Sequence, residues 1–378
     1  MKKNVKKFAI ILTAIMLLSF SIIGCGGNKV ENSTDTSKTG DVTPKSNIKV
    51  GIVLSTGGKG DKSFNDAAIE GLELAKKELG IAYKDIQPKN VADDEKSLEF
   101  LAKEGYNLVF AVGFMQQEAL AKVAPKYPNV KFAIIDSEYG DKTPPNVIGL
   151  VFKEHEGSFL AGVLAASMTK TKIVGFVGGM DMALIHRFEG GFQAGVKYII
   201  PDAKILSAYA GTDGSAFNNP DKGKEIALDM ISKGADIIYH AAGGTGQGVF
   251  EACSTKGIKA IGVDSNQNWV KPGTVIASML KRVDVAVGNT VKSVADGSYK
   301  GGITKVFGLP EDGVALTDLN VLTPEETIGE SAEDQKKIKD LKDSIPDEVK
   351  TKIEDIKKKI ISGEIKVPDW LVEGKPNK

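Results

Sequence analysis

The sequence predicts an α/β protein of two similar lobes, each built on a parallel sheet and joined to the other by a hinge. From Ile48 onward, short apolar runs rich in β-branched residues alternate with helix-like segments. This alternation is typical of a parallel sheet covered on both faces. The chain has 378 residues, which is too long for one comfortable hydrophobic core and favours two lobes.

An internal repeat is the third observation behind this prediction. "SFNDAAIEG" and "RFEGGFQAG" each place a Phe seven residues before a Gly, and each follows a predicted strand and a glycine-rich turn. Two further pairs of strand ends match in the same order, which predicts that the two lobes have similar folds. The matched residues are Phe64 and Phe188, Gly113 and Gly243, and Asp136 and Asp264, which lie 124, 130 and 128 positions apart.

The first residues form a separate segment. "MKKNVKK" carries four lysines, an apolar run follows, and the run ends at Cys25 in "IIGC", which resembles a bacterial lipobox. We expect a signal peptide over 1–24 and lipid on Cys25. An uncleaved anchor is the alternative, although the apolar run is shorter than the ~20 residues that a membrane span needs. In both cases the folded part lies outside the cytoplasmic membrane and is attached to it.

The remaining chain is divided by composition and pattern. Residues 25–47 have almost no bulky apolar side chain, so we expect a flexible tether. The first predicted lobe covers 48–153, and part of 279–302 returns to it. The second predicted lobe covers 154–278. The C-terminal region, 303–378, holds return strands and a helical segment.

The predicted strands and helices alternate along both lobes. The strands are "IKVGIVL", "YNLVFAVG", "VKFAIID", "NVIGLVF", "KIVGFVGG", "ADIIYHAAG", "KAIGVD" and "TVIASML". The helices between them are "SFNDAAIEGLELAKKELG", "MQQEALAKVAPKYP", "EGSFLAGVLAASMTK" and "NPDKGKEIALDMISKGA". In the C-terminal segment, Pro346 separates two charged helices. The second helix has an apolar face that we expect to dock on a lobe, formed by Val349, Ile353, Ile356 and Ile360.

Charge and composition argue against several classes of function. Lys plus Arg and Asp plus Glu both number 49, so the chain has no overall electrostatic footprint for nucleic acid. The three histidines are far apart in sequence, so we expect no zinc site, and we expect no cofactor. With lipid on Cys25, Cys253 has no partner for a disulfide and is expected to be a small buried residue of a helix.

The repeated strand ends predict a ligand site between the lobes. In open α/β sheets, ligands bind outside the carboxyl ends of the strands. Across a cleft, the carboxyl ends of the two sheets can face each other, and a hinge then allows the cleft to close on a ligand. The facing residues would be Asp61, Phe64, Gly113 and Asp136 on one side and Phe188, Gly243 and Asp264 on the other.

The glycine-rich stretch "GGKGDKSFND" does not match a phosphate-binding loop. A P-loop needs Gly before its Lys-Ser pair, but Asp61 precedes Lys62 and Ser63, and a carboxylate repels phosphate. Carboxylates accept hydrogen bonds, and phenylalanines offer flat apolar faces. Together they favour a neutral aromatic ligand with hydroxyl groups, such as a nucleoside. The alternatives are that the phenylalanines are core residues and that the aspartates are turn residues or helix caps.

From Asn47 to about Trp370 the chain resembles the basic membrane protein family of ABC-transporter lipoproteins. The similarity is carried by "DKSFNDAAIEG", "EGSFLAG", "GFVGGMD", "RFEGGFQAG", "AAGGTGQG", "GVDSNQ" and "SMLKRVDVAV". It implies a type I periplasmic-binding fold of two Rossmann-like lobes. It also implies a purine nucleoside as ligand and an ABC permease in the membrane as partner.

The same resemblance implies roles for individual residues. Phe64 and Phe188 would sandwich the base, and Asp264 and Lys281 would hold ribose hydroxyls. Asp136 and Asn65 would contact the edges of the base or sugar, and Asp61 and the Gly243 backbone would line the rest of the site. For Lys281 the alternative is a solvated helix start, and we expect Trp269 at a surface turn outside the site.

Two other functions are open at this point. An enzyme that acts on nucleosides would need positioned acid, base or metal groups, and no G-x-S-x-G, H-E-x-x-H or dense Asp cluster is present. We therefore expect no catalytic residues. A surface sensor, or a binding protein for another small solute such as a sugar, is the second alternative. We expect a monomer that binds no nucleic acid.

Overall fold

The computed structural model describes residues 47–376, which belong to one compact unit, Thr43–Lys378. The expected signal peptide, Cys25 and the tether up to residue 46 lie outside the described residues. Within 47–376, no helix is both long and apolar enough to cross a membrane.

The first lobe begins with five parallel strands. They are β1 (Lys49–Val53), β2 (Ala82–Ile86), β3 (Leu108–Val112), β4 (Lys131–Ile135) and β5 (Val147–Phe152). Three helices connect them: α1 (Phe64–Leu79), α2 (Asp94–Lys103) and α3 (Gln117–Val123). Every residue of β3 is buried, as expected of a central strand covered on both faces.

The second lobe repeats this arrangement. Its strands are β6 (Ile173–Met180), β7 (Lys204–Gly211), β8 (Ile237–Ala241), β9 (Lys259–Asp264) and β10 (Val275–Lys281). Its helices are α4 (Glu154–Met168), α5 (Ala183–Ile199), α6 (Pro220–Ser232) and α7 (Gly246–Lys256). Cys253 is fully buried in α7.

After β10 the chain returns to the first lobe and then crosses again to the second. After Lys281, α8 (Val283–Ala295) packs against α1, and β11 (Ile303–Phe307) joins β5 in parallel. β12 (Val314–Leu316) then pairs antiparallel with β10. The lobes are therefore linked by three crossovers, at Lys153, at Arg282 and between β11 and β12.

Both sheets have the same strand order. The first is β11-β5-β4-β3-β1-β2 and the second is β12-β10-β9-β8-β6-β7. Each strand of one sheet has an equivalent in the other, in the order that the sequence repeat requires. The predicted α/β architecture of two similar lobes is confirmed.

Glycines allow α4 and α5 to pack with their backbones in close contact. A Cβ atom on Gly195 would lie 2.0 Å from the Phe159 carbonyl oxygen, and one on Gly162 would lie 2.2 Å from that of Phe192. Such distances exclude any larger residue unless the helices move apart. This contact sets the position of α5 and therefore of Phe188.

The C-terminal region adds three helices, α9 (Ala332–Asp343), α10 (Asp347–Ile361) and α11 (Trp370–Glu373). α10 follows Pro346 and packs against α4 of the second lobe. The four residues that the helical spacing singled out, Val349, Ile353, Ile356 and Ile360, are all buried.

Candidate ligand-binding site between the lobes

The carboxyl ends of strands from both sheets border one narrow cavity of about 80 Å³. This is the position that the topology of open α/β sheets favours for ligands. The cavity is lined by all of the residues that the sequence predicted to bind ligand: Asp61, Phe64, Asn65, Asp136, Phe188, Gly243, Asp264 and Lys281.

The glycine-rich loop before α1 is braced by its own carboxylate. Asp61 is buried and accepts hydrogen bonds from the backbone N–H groups of Ser63 (2.9 Å), Asn65 (2.9 Å) and Asp66 (3.2 Å), and from the Asn65 amide at 2.9 Å. Burial raises the pKa of Asp61 to about 6, against the opposing effect of these donors. The carboxylate thus holds Phe64 at the first residue of α1.

Asn65 ties the same loop to the end of β1. Its Oδ1 accepts a hydrogen bond from the Ser55 backbone N–H at 2.8 Å, and its Nδ2 donates to Ser55 Oγ at 2.9 Å and to Asp61. Both polar groups of the Asn65 side chain therefore already have protein partners. Asn65 and Asp61 border the cavity, but their hydrogen bonds are directed into the loop.

Aromatic rings from both lobes form walls of the cavity. Phe64 comes from the first lobe, while Phe188 and Phe217 come from the second. Phe188 lies in the second turn of α5, whereas its sequence equivalent Phe64 begins α1. The Lys281 ammonium is 5.0 Å from the centre of the Phe64 ring and 5.5 Å from that of Phe188, a range in which a cation is attracted to ring faces.

Asp136 and Asp264 have the same unusual backbone conformation. Asp136 follows β4 with φ 63°, and Asp264 ends the equivalent strand β9 with φ 66°. Positive φ is uncommon for residues other than glycine and often marks functional positions. The sequence repeat is therefore also a repeat of backbone geometry, and it places one carboxylate from each lobe at the cavity.

Lys281 is the buried cation of the site. Its side chain is 2% exposed, and its Nζ lies 2.5 Å from Asp136 Oδ2 and 3.1 Å from Glu154 Oε1. Burial alone would lower the pKa of Lys281, but the carboxylates of Asp136, Glu154 and Asp264 raise it above its ordinary value. Lys281 is thus charged at neutral pH, and it does not lie at a solvated helix start.

Asp136 has one oxygen without a protein partner. Burial raises the pKa of this carboxyl to about 7, opposed by the nearby charge of Lys281. Oδ2 contacts Lys281, whereas Oδ1 is buried and accepts no hydrogen bond from any described residue. Buried polar atoms nearly always have a partner, so the free oxygen at the cavity is available to a ligand donor.

Asp264 connects the two lobes next to the cavity. It accepts a hydrogen bond from Ser63 Oγ of the first lobe, and burial raises the pKa of Asp264 against the effects of Lys281 and Ser63. Gln267 Nε2 also crosses the cleft and donates to the Lys62 carbonyl at 2.8 Å. The lobes therefore contact each other directly along one side of the cavity.

A family model described as "ABC transporter substrate-binding protein PnrA-like" matches residues 48–370. The chain belongs to this family. It is therefore an ABC transporter substrate-binding protein of the basic membrane protein family and not an enzyme, and the predicted family resemblance is confirmed.

Three relatives illustrate the similarity. An ABC transporter nucleoside-binding protein of Lactococcus lactis is 34% identical, covering 82% of this chain and 91% of its own. An uncharacterized lipoprotein of Pyrococcus abyssi is 36% identical, covering 94% and 87%. The crystal structure of an ABC transporter solute-binding protein from Aeropyrum pernix K1 matches with TM-score 0.76 and 33% identity, covering 86% of this chain and 98% of that one. The type I periplasmic-binding fold is confirmed.

Several residues that line the cavity of this substrate-binding protein, or contact its lining, were not found from its sequence. Phe217 follows β7, so the rule that ligands lie beyond the carboxyl ends of strands could have found it. Glu154, which contacts Lys281, had no signal beyond its place at the start of α4. Trp269, as expected, lies outside this cavity, with Lys62 Nζ 5.1 Å from its ring. The other missed lining residues are Ser55, Thr56, Gly57, Phe114, Met115, Leu184, Ile185, Ala241 and Val263.

Proposed function

We propose that this substrate-binding protein binds a purine nucleoside in the interlobe cleft and delivers it to an ABC permease. The observation that carries the proposal is the pairing of aromatic walls from both lobes with buried hydrogen-bonding charges. Phe64 and Phe188 line a narrow cavity together with Asp136, Asp264 and Lys281. This combination suits a flat apolar ring that carries a polar sugar.

Stacking supplies affinity for the base. Stacking of a base on an aromatic side chain contributes roughly 1–3 kcal/mol to the free energy of binding, and different bases stack in this way. We place the base between Phe64 and Phe188. Phe188 is only 3% exposed and sits on a helix that is packed tightly against α4, so the wall is rigid before the ligand arrives.

The charged groups favour a neutral ligand over a phosphorylated one. Three aspartates, Asp61, Asp136 and Asp264, line the cavity together with a single lysine. Lys281 is already paired with Asp136 and Glu154, so it has little charge left for a phosphate. A nucleotide would bring its phosphate close to these carboxylates, and like charges repel.

Hydrogen bonds would orient the sugar and the edges of the base. We propose that Asp264 and Lys281 hold ribose hydroxyls and that the free Asp136 oxygen accepts from the ligand. The Gly243 backbone would line the remaining wall. For Asp61 and Asn65 we propose mainly a positioning role, because their polar groups are already bonded within the loop.

Relatives support the ligand class and the location. The Lactococcus lactis relative is named a nucleoside-binding protein, and the Pyrococcus abyssi relative is named a lipoprotein. We propose that lipid on Cys25 attaches the protein to the outer face of the cell membrane, beside its permease. We further propose that it acts there as a monomer.

The proposal is tested by thermal unfolding of Thr43–Lys378 in the presence of candidate ligands. The panel holds adenosine, guanosine, inosine, cytidine, the free bases, AMP, ribose and galactose. A ligand that binds only the folded state raises the unfolding midpoint. We expect increases with purine nucleosides and none with AMP. Increases with sugars alone, or with no ligand of the panel, would contradict the nucleoside proposal.

A further inference from the structure

We propose that Asp369 in the C-terminal segment sets the ligand affinity of the cleft, with Arg187 as the positioning residue that links it to Lys281. The inference rests on the proposed function in one respect, namely that Lys281 contacts the ligand. Asp369 itself does not line the cavity. Its influence therefore has to pass through other side chains.

Arg187 forms a two-pronged ion pair with the C-terminal segment. Its Nε donates to Asp369 Oδ1 at 2.8 Å, and its Nη2 donates to Asp369 Oδ2 at 2.5 Å. Paired hydrogen bonds of this kind fix the orientation of the guanidinium as well as its position. Arg187 is 9% exposed and directly precedes the cavity residue Phe188 on α5.

The third nitrogen of Arg187 points to the first crossover between the lobes. Nη1 donates to the Phe152 carbonyl at 2.5 Å and to Glu154 Oε2 at 3.2 Å. Phe152 ends the last strand of the first lobe before the crossover, and Glu154 begins the first helix of the second lobe. Arg187 thus binds the residue before the crossover and the residue after it.

Glu154 links Arg187 to the cavity residue Lys281. Its Oε2 binds Arg187, while its Oε1 lies 3.1 Å from the Nζ of Lys281. Lys281 in turn pairs with Asp136 of the first lobe. A continuous row of alternating charges therefore runs from Asp369 through Arg187, Glu154 and Lys281 to Asp136. Because these charges are largely buried, each one depends on its neighbours for compensation.

The C-terminal segment is held against α5 at other points as well. The Trp370 ring packs on Gly190, where an added Cβ would lie 2.6 Å from a ring carbon. Lys375 Nζ lies 2.7 Å from Glu189 Oε2 and 2.9 Å from the Tyr209 hydroxyl. The segment therefore remains docked when the Asp369 carboxylate alone is altered, so its charge can be tested by itself.

Among the described residues, loss of that charge leaves Arg187 with Glu154 as its one carboxylate partner. Glu154 is then drawn more strongly to Arg187, and Lys281 loses part of its compensation. We expect Lys281 and the crossover to hold less well-defined positions. A ligand that needs one arrangement of the cleft then binds only the fraction of molecules that adopts it.

The test compares Asp369→Asn with the unaltered Thr43–Lys378 protein by calorimetric titration with inosine. We expect affinity to fall about tenfold, which corresponds to about 1.4 kcal/mol. The unfolding midpoint without ligand should also fall, because Arg187 loses its two-pronged carboxylate partner, so affinity is measured well below that midpoint. Asp369→Glu, which keeps the charge, should recover most of the affinity. The control is Glu364→Gln, which removes an exposed carboxylate of the same C-terminal region that pairs with Lys359 at 3.0 Å. It should bind as the unaltered protein does.

A second measurement needs no ligand. Spin labels at Glu138→Cys and Thr212→Cys, exposed positions on the first and second lobes, report the distance between the lobes. We expect Asp369→Asn to broaden the distance distribution. If the unaltered protein binds no inosine but the distribution broadens, the nucleoside proposal fails and the role of Asp369 stands. If the unaltered protein binds inosine and Asp369→Asn changes neither the affinity nor the distance distribution, the role of Asp369 is overturned. The same holds if the unaltered protein binds no inosine and Asp369→Asn leaves the distance distribution unchanged.

Discussion

Lys281 is the residue at which the charges of the site meet. Its ammonium contacts a carboxylate from each lobe and lies near the faces of three phenylalanine rings, Phe64, Phe152 and Phe188. Such a buried ion network is costly to break but needs exact partners to be stable. We infer that it fixes the polar end of the cleft, while the rings of Phe64 and Phe188 supply the apolar walls.

Phe188→Ala should weaken purine nucleoside binding at least tenfold, about 1.4 kcal/mol, because one stacking face is lost. Calorimetric titration measures the change. Phe188→Leu keeps most of the apolar volume but has no ring to stack on. It should therefore also lose affinity, while lowering the free energy of unfolding less than Phe188→Ala does. The control is Phe100→Ala, which alters a ring that is 41% exposed on α2. Unchanged affinity in a folded Phe188→Leu protein would contradict the stacking assignment.

Asp264→Ala should reduce affinity for ribonucleosides more than affinity for the corresponding free bases. The reason is that its proposed partners are ribose hydroxyls, which the bases lack. Titrations with inosine and with hypoxanthine, its base, give the two ratios. Equal losses for both ligands would show that Asp264 does not contact the sugar. Asp221→Ala, at an exposed position of α6 in the same lobe, serves as the control.

At the scale of elements, the α4–α5 contact determines where Phe188 and Arg187 lie. Gly195→Ala places a methyl group 2.0 Å from the Phe159 carbonyl oxygen. We expect the free energy of unfolding to fall by about 1–3 kcal/mol, as is usual for overpacking. Urea unfolding measures this change. Gly288→Ala in α8 is the matched control, because its added Cβ would meet only one atom, at 3.9 Å.

The control should be neutral or slightly stabilising, since alanine favours helix over glycine by up to ~1 kcal/mol. If Gly195→Ala is as stable as Gly288→Ala, the close packing of α4 and α5 is not needed. In that case the rigid placement of Phe188 loses its structural basis.

Helix α2 carries a buried carboxyl that should make stability depend on pH. Burial and, secondarily, the charge of Asp93 raise the pKa of Asp94 to about 6. Between pH 4 and pH 6 the folded state therefore binds more protons than the unfolded state, so this group makes the free energy of unfolding fall as pH rises.

Asp94→Asn should remove that dependence. The free energy of unfolding of Asp94→Asn minus that of the unaltered protein, both from urea unfolding, should therefore increase from pH 4 to pH 7. Glu104→Gln removes an exposed carboxylate just beyond the same helix and should leave the pH dependence unchanged. A parallel pH dependence in Asp94→Asn and the unaltered protein would show that Asp94 is not responsible.

At the scale of the whole molecule, two copies of one strand order meet at a single cleft and are joined by three crossovers. Two of these crossovers adjoin the charge network, since Glu154 follows the first and Lys281 precedes the second. We infer that ligand contacts and lobe movement are coupled through the same side chains. Hinge closure around a ligand is the movement typical of two-lobed binding proteins.

The sequence predicted the features that depend on local patterns. The strand ends, the repeat and the apolar face of α10 follow from periodicity and spacing, and they located Asp136, Asp264 and the two phenylalanines. Contacts over long separations were not predictable in this way. Arg187 and Asp369 are 182 residues apart, and only the folded chain brings them together. Asp61 lines the cavity as the sequence predicts, but the hydrogen bonds that its carboxylate accepts from backbone N–H groups of its own loop were not predictable, because they depend on the exact path of that loop.

A crystal structure of Thr43–Lys378 grown with excess inosine tests the proposed binding mode most directly. We predict the hypoxanthine ring between Phe64 and Phe188, the ribose hydroxyls at Asp264 and Lys281, and a ligand donor at the free oxygen of Asp136. Inosine bound outside the cleft, or a cleft without inosine at saturating concentration, would contradict the account.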